Sequence, residues 1–158
     1  MRILGIDPGI GICGFGLIST TTRANAKALD FGAVTTRVGA PMPERLTELS
    51  ESLRLVFKET NPEIVAIEKL FFSKNITTGI AVAEARGVIL LIAAQKDIPV
   101  REYTPNEIKL TMTGYGGADK KQMQEMVRLH LGLQAVPKPD DAADALAAAI
   151  THGLMTRV

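Results

Sequence analysis

Apolar positions in the first third of the chain come in short unbroken runs. Arg2 to Asp7 reads Arg-Ile-Leu-Gly-Ile-Asp, Gly11 to Ile18 follows after Pro8-Gly9-Ile10, and Ala28 to Thr36 holds Phe31, Val34, Thr35 and Thr36. Strand-forming residues in runs this short predict three strands joined as an antiparallel meander. The period then changes. After Pro43-Glu44-Arg45, Leu46, Leu49, Leu53, Val56 and Phe57 recur at helical spacing until Asn61-Pro62 ends the run. Ile64 to Ile67 is continuously apolar, the pattern of a strand covered on both faces.

A loop over Lys69–Asn75 leads to a long apolar segment, Ile76 to Lys96, which is helical by length and composition. Pro99-Val100-Arg101-Glu102-Tyr103 predicts a fifth strand opening at a proline. Thr104-Pro105-Asn106-Glu107 has a capping residue, a proline at the first helical position and an acid in the first turn, so a short helix through Leu110 is expected. Gly114-Tyr115-Gly116-Gly117 is too glycine-rich for regular structure. Ala118 or Asp119 then opens a helix through Leu131, and Asp140 to Thr151 forms the last. Three strands, helix, strand, helix, strand and helices make an α/β fold. A five-stranded mixed sheet is expected, its first three strands antiparallel and helices flanking it, which is the ribonuclease H-like order. With no repeat, long linker or low-complexity tract, residues 1–158 read as a single domain.

Cys13 is the only cysteine of the 158 residues, which excludes an intrachain disulfide or a cysteine-rich zinc site and marks it as a small core residue. The N-terminal segment reads directly as a strand and lacks the regions of a secretory signal, so a cytoplasmic location is expected. Gly87 to Ala94 is apolar but far short of the roughly 20 residues that span a bilayer. It reads as a core or interface helix, with no membrane role. Net charge is +1, yet residues 69–138 carry ten basic and six acidic side chains while 139–158 carry one and three. A basic middle beside acidic motifs fits a polyanion held through metal, although a solvated helix surface has the same excess.

Four acids stand where a charge has no obvious structural use. Asp7 and Glu68 close apolar strand segments, and Asp141 and Asp144 interrupt an alanine-rich helix. If the first and fourth strands are neighbours, Asp7 and Glu68 meet at the same sheet edge. Asp141 and Asp144 share a helix face, and the alanines around them allow that helix close to the sheet. Asp140, four residues before Asp144, could share the face too, and spacing alone does not choose between Asp140 and Asp141. Carboxylates converging in one cleft repel each other unless a hard divalent cation neutralises them, with Mg²⁺ the expected ion. Two ions about 3.5 to 4 Å apart can activate water and stabilise the leaving oxygen of a phosphodiester. Singly, each acid reads equally well as a turn or cap residue.

The segments Ile3-Leu4-Gly5-Ile6-Asp7-Pro8-Gly9, Ala66-Ile67-Glu68, Ala85-Arg86-Gly87 and Asp141-Ala142-Ala143-Asp144-Ala145-Leu146-Ala147 resemble, in order and spacing, the RuvC family of Holliday junction resolvases. Lys74-Asn75 and Ile150-Thr151-His152 extend the likeness over nearly the whole chain. The resemblance implies a homodimeric endonuclease that nicks two like-polarity strands of four-way junction DNA in recombination and repair, leaving ligatable duplexes. It implies two Mg²⁺ ions per site, with Mn²⁺ able to substitute, and a RuvAB branch-migration complex as partner. By motif position, Asp7, Glu68, Asp141 and Asp144 become the catalytic metal ligands, and Asp140 is left without a role.

The same resemblance makes Phe71 a base-stacking aromatic, with Phe72 a competing choice, and Lys109 and Lys120 DNA-contacting residues. Lys74, taken as DNA-binding, and Lys69, Arg86, Lys121 and Arg128 are further phosphate-contact candidates, each more readily read singly as a solvated charge. His130 and His152 lack metal-ligand spacing and read as packing or hydrogen-bonding groups. Apolar residues all round the Ile76–Ala94 helix predict a second buried face, matching the family's two-fold dimer. Gly5-Ile6-Asp7-Pro8-Gly9 with Gly14 and Gly16 also resembles the phosphate-binding hairpin of actin-like and sugar-kinase ATPases. Those need two related domains, for which this chain is short.

Overall fold

The computed structural model describes residues 1–22, 25–71 and 75–156. Strands β1 (Arg2–Asp7), β2 (Ile12–Thr22) and β3 (Asn25–Thr35) form an antiparallel meander. β4 (Ile64–Glu68) joins the free edge of β1 in parallel, and β5 (Val100–Tyr103) pairs with β4 the same way. The order is β3-β2-β1-β4-β5, with β1 in the middle. Helices α1 (Met42–Thr60), α2 (Ile76–Gln95), α3 (Pro105–Thr113), α4 (Lys120–Leu131) and α5 (Asp140–Met155) cover the two faces. The architecture is α/β and ribonuclease H-like, with the mixed sheet that the element order predicts.

Several elements run further than their apolar patterns. β2 continues past Ile18 and β3 begins before Ala28 because Ser19, Thr20 and Thr22 pair with Lys27, Ala26 and Asn25. Backbone pairing needs no apolar side chain at a strand tip. α3 passes Leu110 and stops where Gly114 takes a left-handed φ of 73° and donates its N–H to the Leu110 carbonyl. Its start has the full reciprocal cap between Thr104 and Glu107, worth about 1 kcal/mol. α5 passes Thr151 because Leu154 still packs on the core.

Side chains alternate across the sheet and divide the core in two. On one face Leu4, Ile6, Val65 and Ile67 meet Leu49, Leu53 and Phe57 of α1 and Ala85, Ile89 and Ile92 of α2. On the other, Ile3, Ile18, Ile64 and Ala66 meet α5, with Ile108 and Met112 of α3 and Val127 and Leu131 of α4 behind it. Each fully buried Leu or Ile contributes roughly 1.5–3 kcal/mol. Cys13 is fully buried in the first cluster, as a small core residue would be.

The two histidines serve the α5 side. His152 Nδ1 lies 2.6 Å from the Tyr103 hydroxyl, and His130 Nε2 lies 3.4 Å from the Met112 carbonyl. α2 is long and apolar enough to cross a membrane by length and composition. It docks instead through Ala85, Ile89, Ile92 and Ala93, all fully buried, and leaves Ile76, Ile80 and Leu91 exposed on its outer side.

Candidate active site

Strand parity brings the first two acids together. β1 and β4 are parallel with Gly5 opposite Ala66 and Ile6 opposite Ile67, so Asp7 and Glu68 are the next step of the ladder. Both point to the α5 face, as Ile3, Gly5 and Ala66 do two and four residues earlier. Glu68 is held further by pairing on its other side. It is opposite Tyr103, whose carbonyl accepts the Lys69 N–H at 2.7 Å.

The helix acids arrive because β1 and β2 are bare where α5 crosses them. A Cβ on Gly5 would stand 1.8 Å from the Ala145 carbonyl oxygen, and one on Gly14 would stand 2.0 Å from that of Asp141. Gly14 is also the cross-strand partner of Asp7. Glycine there lets the helix backbone rest on the sheet, which sets the start of α5 over the end of β1. These glycines therefore have a packing use.

Electrostatics records the crowding. Burial, then Asp144, Asp141 and Glu68, raise the Asp7 carboxyl from 3.8 to about 8, helped by a hydrogen bond with Asp141. Burial, then Asp144, raise Glu68, with Lys109 opposing. Asp144 is raised by burial, Asp141 and Asp140 against the pull of Lys120. Among the described residues no three acidic, histidine or cysteine side chains close on a shared point. Asp7 and Glu68 line one cleft, and Glu68 and Asp144 line the one adjoining it.

One cleft, ≈ 720 Å³, is lined by Asp7, Glu68, Lys69, Phe71, Arg86 and Asn106. The next, ≈ 380 Å³, holds Glu68, Lys109, Lys120 and Asp144. Glu68 and Pro105 belong to both. Phe71 is 58% exposed, an aromatic presented to solvent beside the acids. Phe72 and Lys74 lie outside the described residues.

Two cation candidates are already engaged. Arg86, on the first cleft, is ion-paired with Glu102, is only 14% exposed, and has a buried Nε without a partner, so it is not a solvated charge. Arg128 is held by Glu125 at 2.6 Å and donates to the Leu133 carbonyl at 3.1 Å, a structural use. Lys121 lines a separate groove with Tyr115 and Met126. Lys69 and Lys109 remain on the clefts.

Sequence reading missed three features. The start of α3, with Thr104, Pro105 and Asn106, forms one wall of the first cleft, and its position after a parallel strand was the available signal. Glu102 as partner of Arg86 had no sequence signal. Asp140, left without a role, is paired with Lys120 at 3.2 Å and with Lys138 at 3.6 Å.

The donor set fits a hard divalent cation: oxygen ligands only, and an Asp7 whose neighbouring charges are all negative. Comparison with known proteins agrees with that chemistry. A family model described as crossover junction endodeoxyribonuclease RuvC matches residues 3–152. The protein of that name from Chloroflexus aurantiacus is 53% identical over 152 residues, covering 96% of this chain and 92% of the relative. That from Brevibacillus brevis is 50% identical, covering 96% and 91%. The solved structure of T. thermophilus RuvC in complex with Holliday junction substrate matches with a TM-score of 0.91 at 35% identity, over 98% of this chain and 93% of that one. A yeast mitochondrial Holliday junction resolvase shares the fold at 14% identity and a TM-score of 0.70, over 97% of this chain and 79% of that one. Since both the family model and relatives of half identity span almost the whole described sheet and its helices, the chain belongs to the RuvC family of crossover junction endodeoxyribonucleases.

Proposed function

We propose that this protein resolves four-way Holliday junctions by paired, symmetric, metal-dependent nicks that leave ligatable duplexes, as a step of homologous recombination and DNA repair. The observation that carries the reading is Asp7, whose carboxyl is raised to about 8 by burial and then by the nearby Asp144, Asp141 and Glu68. These four are the catalytic residues and the ligands of a divalent cation, Mg²⁺, two per site, with Mn²⁺ able to substitute. When bound, the metal supplies Lewis acidity at the phosphodiester and neutralises the acids.

The chain's own residues do the rest. Lys109 and Lys120, beside Glu68 and Asp144 on the second cleft, hold backbone phosphates as point charges. Phe71, on the first cleft, stacks on a base that the crossover leaves unpaired. Lys74 adds a further phosphate contact. Thr104, Pro105 and Asn106 at the start of α3 form a wall of that first cleft.

A junction presents two equivalent strands, which calls for two sites. The exposed Ile76, Ile80 and Leu91 of α2 supply an isologous surface for a homodimer. The single domain of residues 1–158 then acts in the cytoplasm with no membrane role, alongside a RuvAB-type branch-migration motor.

The test is a synthetic four-way junction with each strand end-labelled, incubated with and without Mg²⁺, and the cuts mapped. Paired cuts at symmetric positions are expected only with metal, and Asp7→Asn should stop cutting while binding persists. A junction-binding protein without nuclease activity would bind and never cut. Normal cutting by Asp7→Asn would remove the site assignment.

A further inference from the structure

Resting on the reading of the cleft as a junction nuclease, we propose that Asp140 is an internal stand-in for a DNA phosphate. It holds Lys120 and Lys138 until a backbone phosphate takes its place. One carboxylate oxygen, Oδ2, lies 3.2 Å from Lys120 Nζ, and the other, Oδ1, lies 3.6 Å from Lys138 Nζ. Gln124 of α4 also hydrogen-bonds to this carboxylate. A singly charged group sharing two oxygens between ammonium ions reproduces what a phosphodiester offers a pair of lysines.

Helix stability does not account for the arrangement. Lys120 is the first residue of α4, where the helix dipole disfavours a cation. Capping there is done by its neighbour Asp119, whose side chain accepts the Gln122 N–H. Lys120 instead lines the cleft that contains Glu68, Lys109 and Asp144, while Asp140 pairs with it from the first turn of α5.

The pairing is also built to exchange. Lys120, Lys138 and Asp140 side chains are 60%, 74% and 45% exposed, so water screens both bridges and either can be replaced at little cost. When a duplex arm docks, phosphate takes the lysines and the freed Asp140 carboxylate faces a polyanion. Asp140 thereby opposes tight binding and favours release of the nicked duplexes.

Junction affinity of the intact protein, measured by fluorescence anisotropy in EDTA over a series of NaCl concentrations, tests this. Asp140→Asn should tighten Kd by about two- to fivefold and steepen the slope of log Kd against log salt by up to about 1. In a Lys120→Met/Lys138→Met background the same substitution should change Kd by less than about 1.5-fold, a remnant of screened long-range charge. Equal tightening in both backgrounds would mean simple removal of a negative charge and would overturn the proposal. So would no tightening with both lysines present. Failure of the underlying reading looks different: the unsubstituted protein would then neither bind nor cut the junction.

Discussion

Asp7 reports the combined effect of burial and neighbouring negative charge in the acidic site. Its carboxyl, buried beside Asp144, Asp141 and Glu68, is raised from 3.8 to about 8. A proton held more tightly by the folded chain than by the unfolded one stabilises the fold at low pH. That contribution is complete below the unfolded value near 4 and is lost as pH rises through about 8. At about 1.36 kcal/mol per pH unit, the loss over this window amounts to a few kcal/mol. Asp7→Asn keeps the shape and removes the titration. In EDTA the variant should therefore melt above the unsubstituted protein, with a gap that grows from pH 5 to pH 8 and then levels. At pH 8 a difference of roughly 2–4 kcal/mol corresponds to about 4–16 °C in Tm for a chain of this size. Thermal unfolding followed by circular dichroism at four pH values reads it. Adding Mg²⁺ at pH 8 should raise the Tm of the unsubstituted protein more than that of the variant. A gap independent of pH, or a variant less stable at pH 8, would refute the argument that burial and the neighbouring carboxylates together raise Asp7.

Two further outcomes follow from the packing. In Gly14→Ala the new methyl would stand 2.0 Å from the Asp141 carbonyl oxygen, where 3.4 Å is ordinary contact, so the start of α5 must give by about 1.4 Å. Stability should fall by about 1–3 kcal/mol and nicking at saturating junction and Mg²⁺ by about 10²-fold; a rate within threefold of the original would show that helix placement does not govern the site. Under the proposed homodimer, Leu91→Glu puts a charge on the exposed face of α2 and should shift the sedimentation mass from dimer to monomer. A variant that stays dimeric would move the seam elsewhere.

The kinds of elements were legible because each depends on a local period. Leu49, Leu53 and Phe57 recur as one helix face, and Ile64 to Ile67 is short and wholly apolar, with the break between them at Asn61-Pro62. Their ends were less legible. The tips of β2 and β3 are threonine, asparagine and lysine, and only pairing across the hairpin makes them strand. In the site, the four acids stood out as charges set against apolar surroundings. Glu102 beside Arg86 and Asp140 beside Lys120 carried no such contrast, since a charged residue on a helix or edge strand looks the same paired or solvated.

Sequence alone determined which segments are strands and helices, that two acids end strands and two share a helix face, and which family the motifs resemble. All of that rests on neighbours in the chain, where spacing is geometry. Tertiary structure decided that β1 lies between β2 and β4, that α5 sits on the bare backbone of Gly5 and Gly14, and that Arg86 and Arg128 are already held by partners. These depend on residues tens of positions apart coming within a few ångströms. Such distances are set by how the whole sheet and its helices pack, and no local pattern contains them.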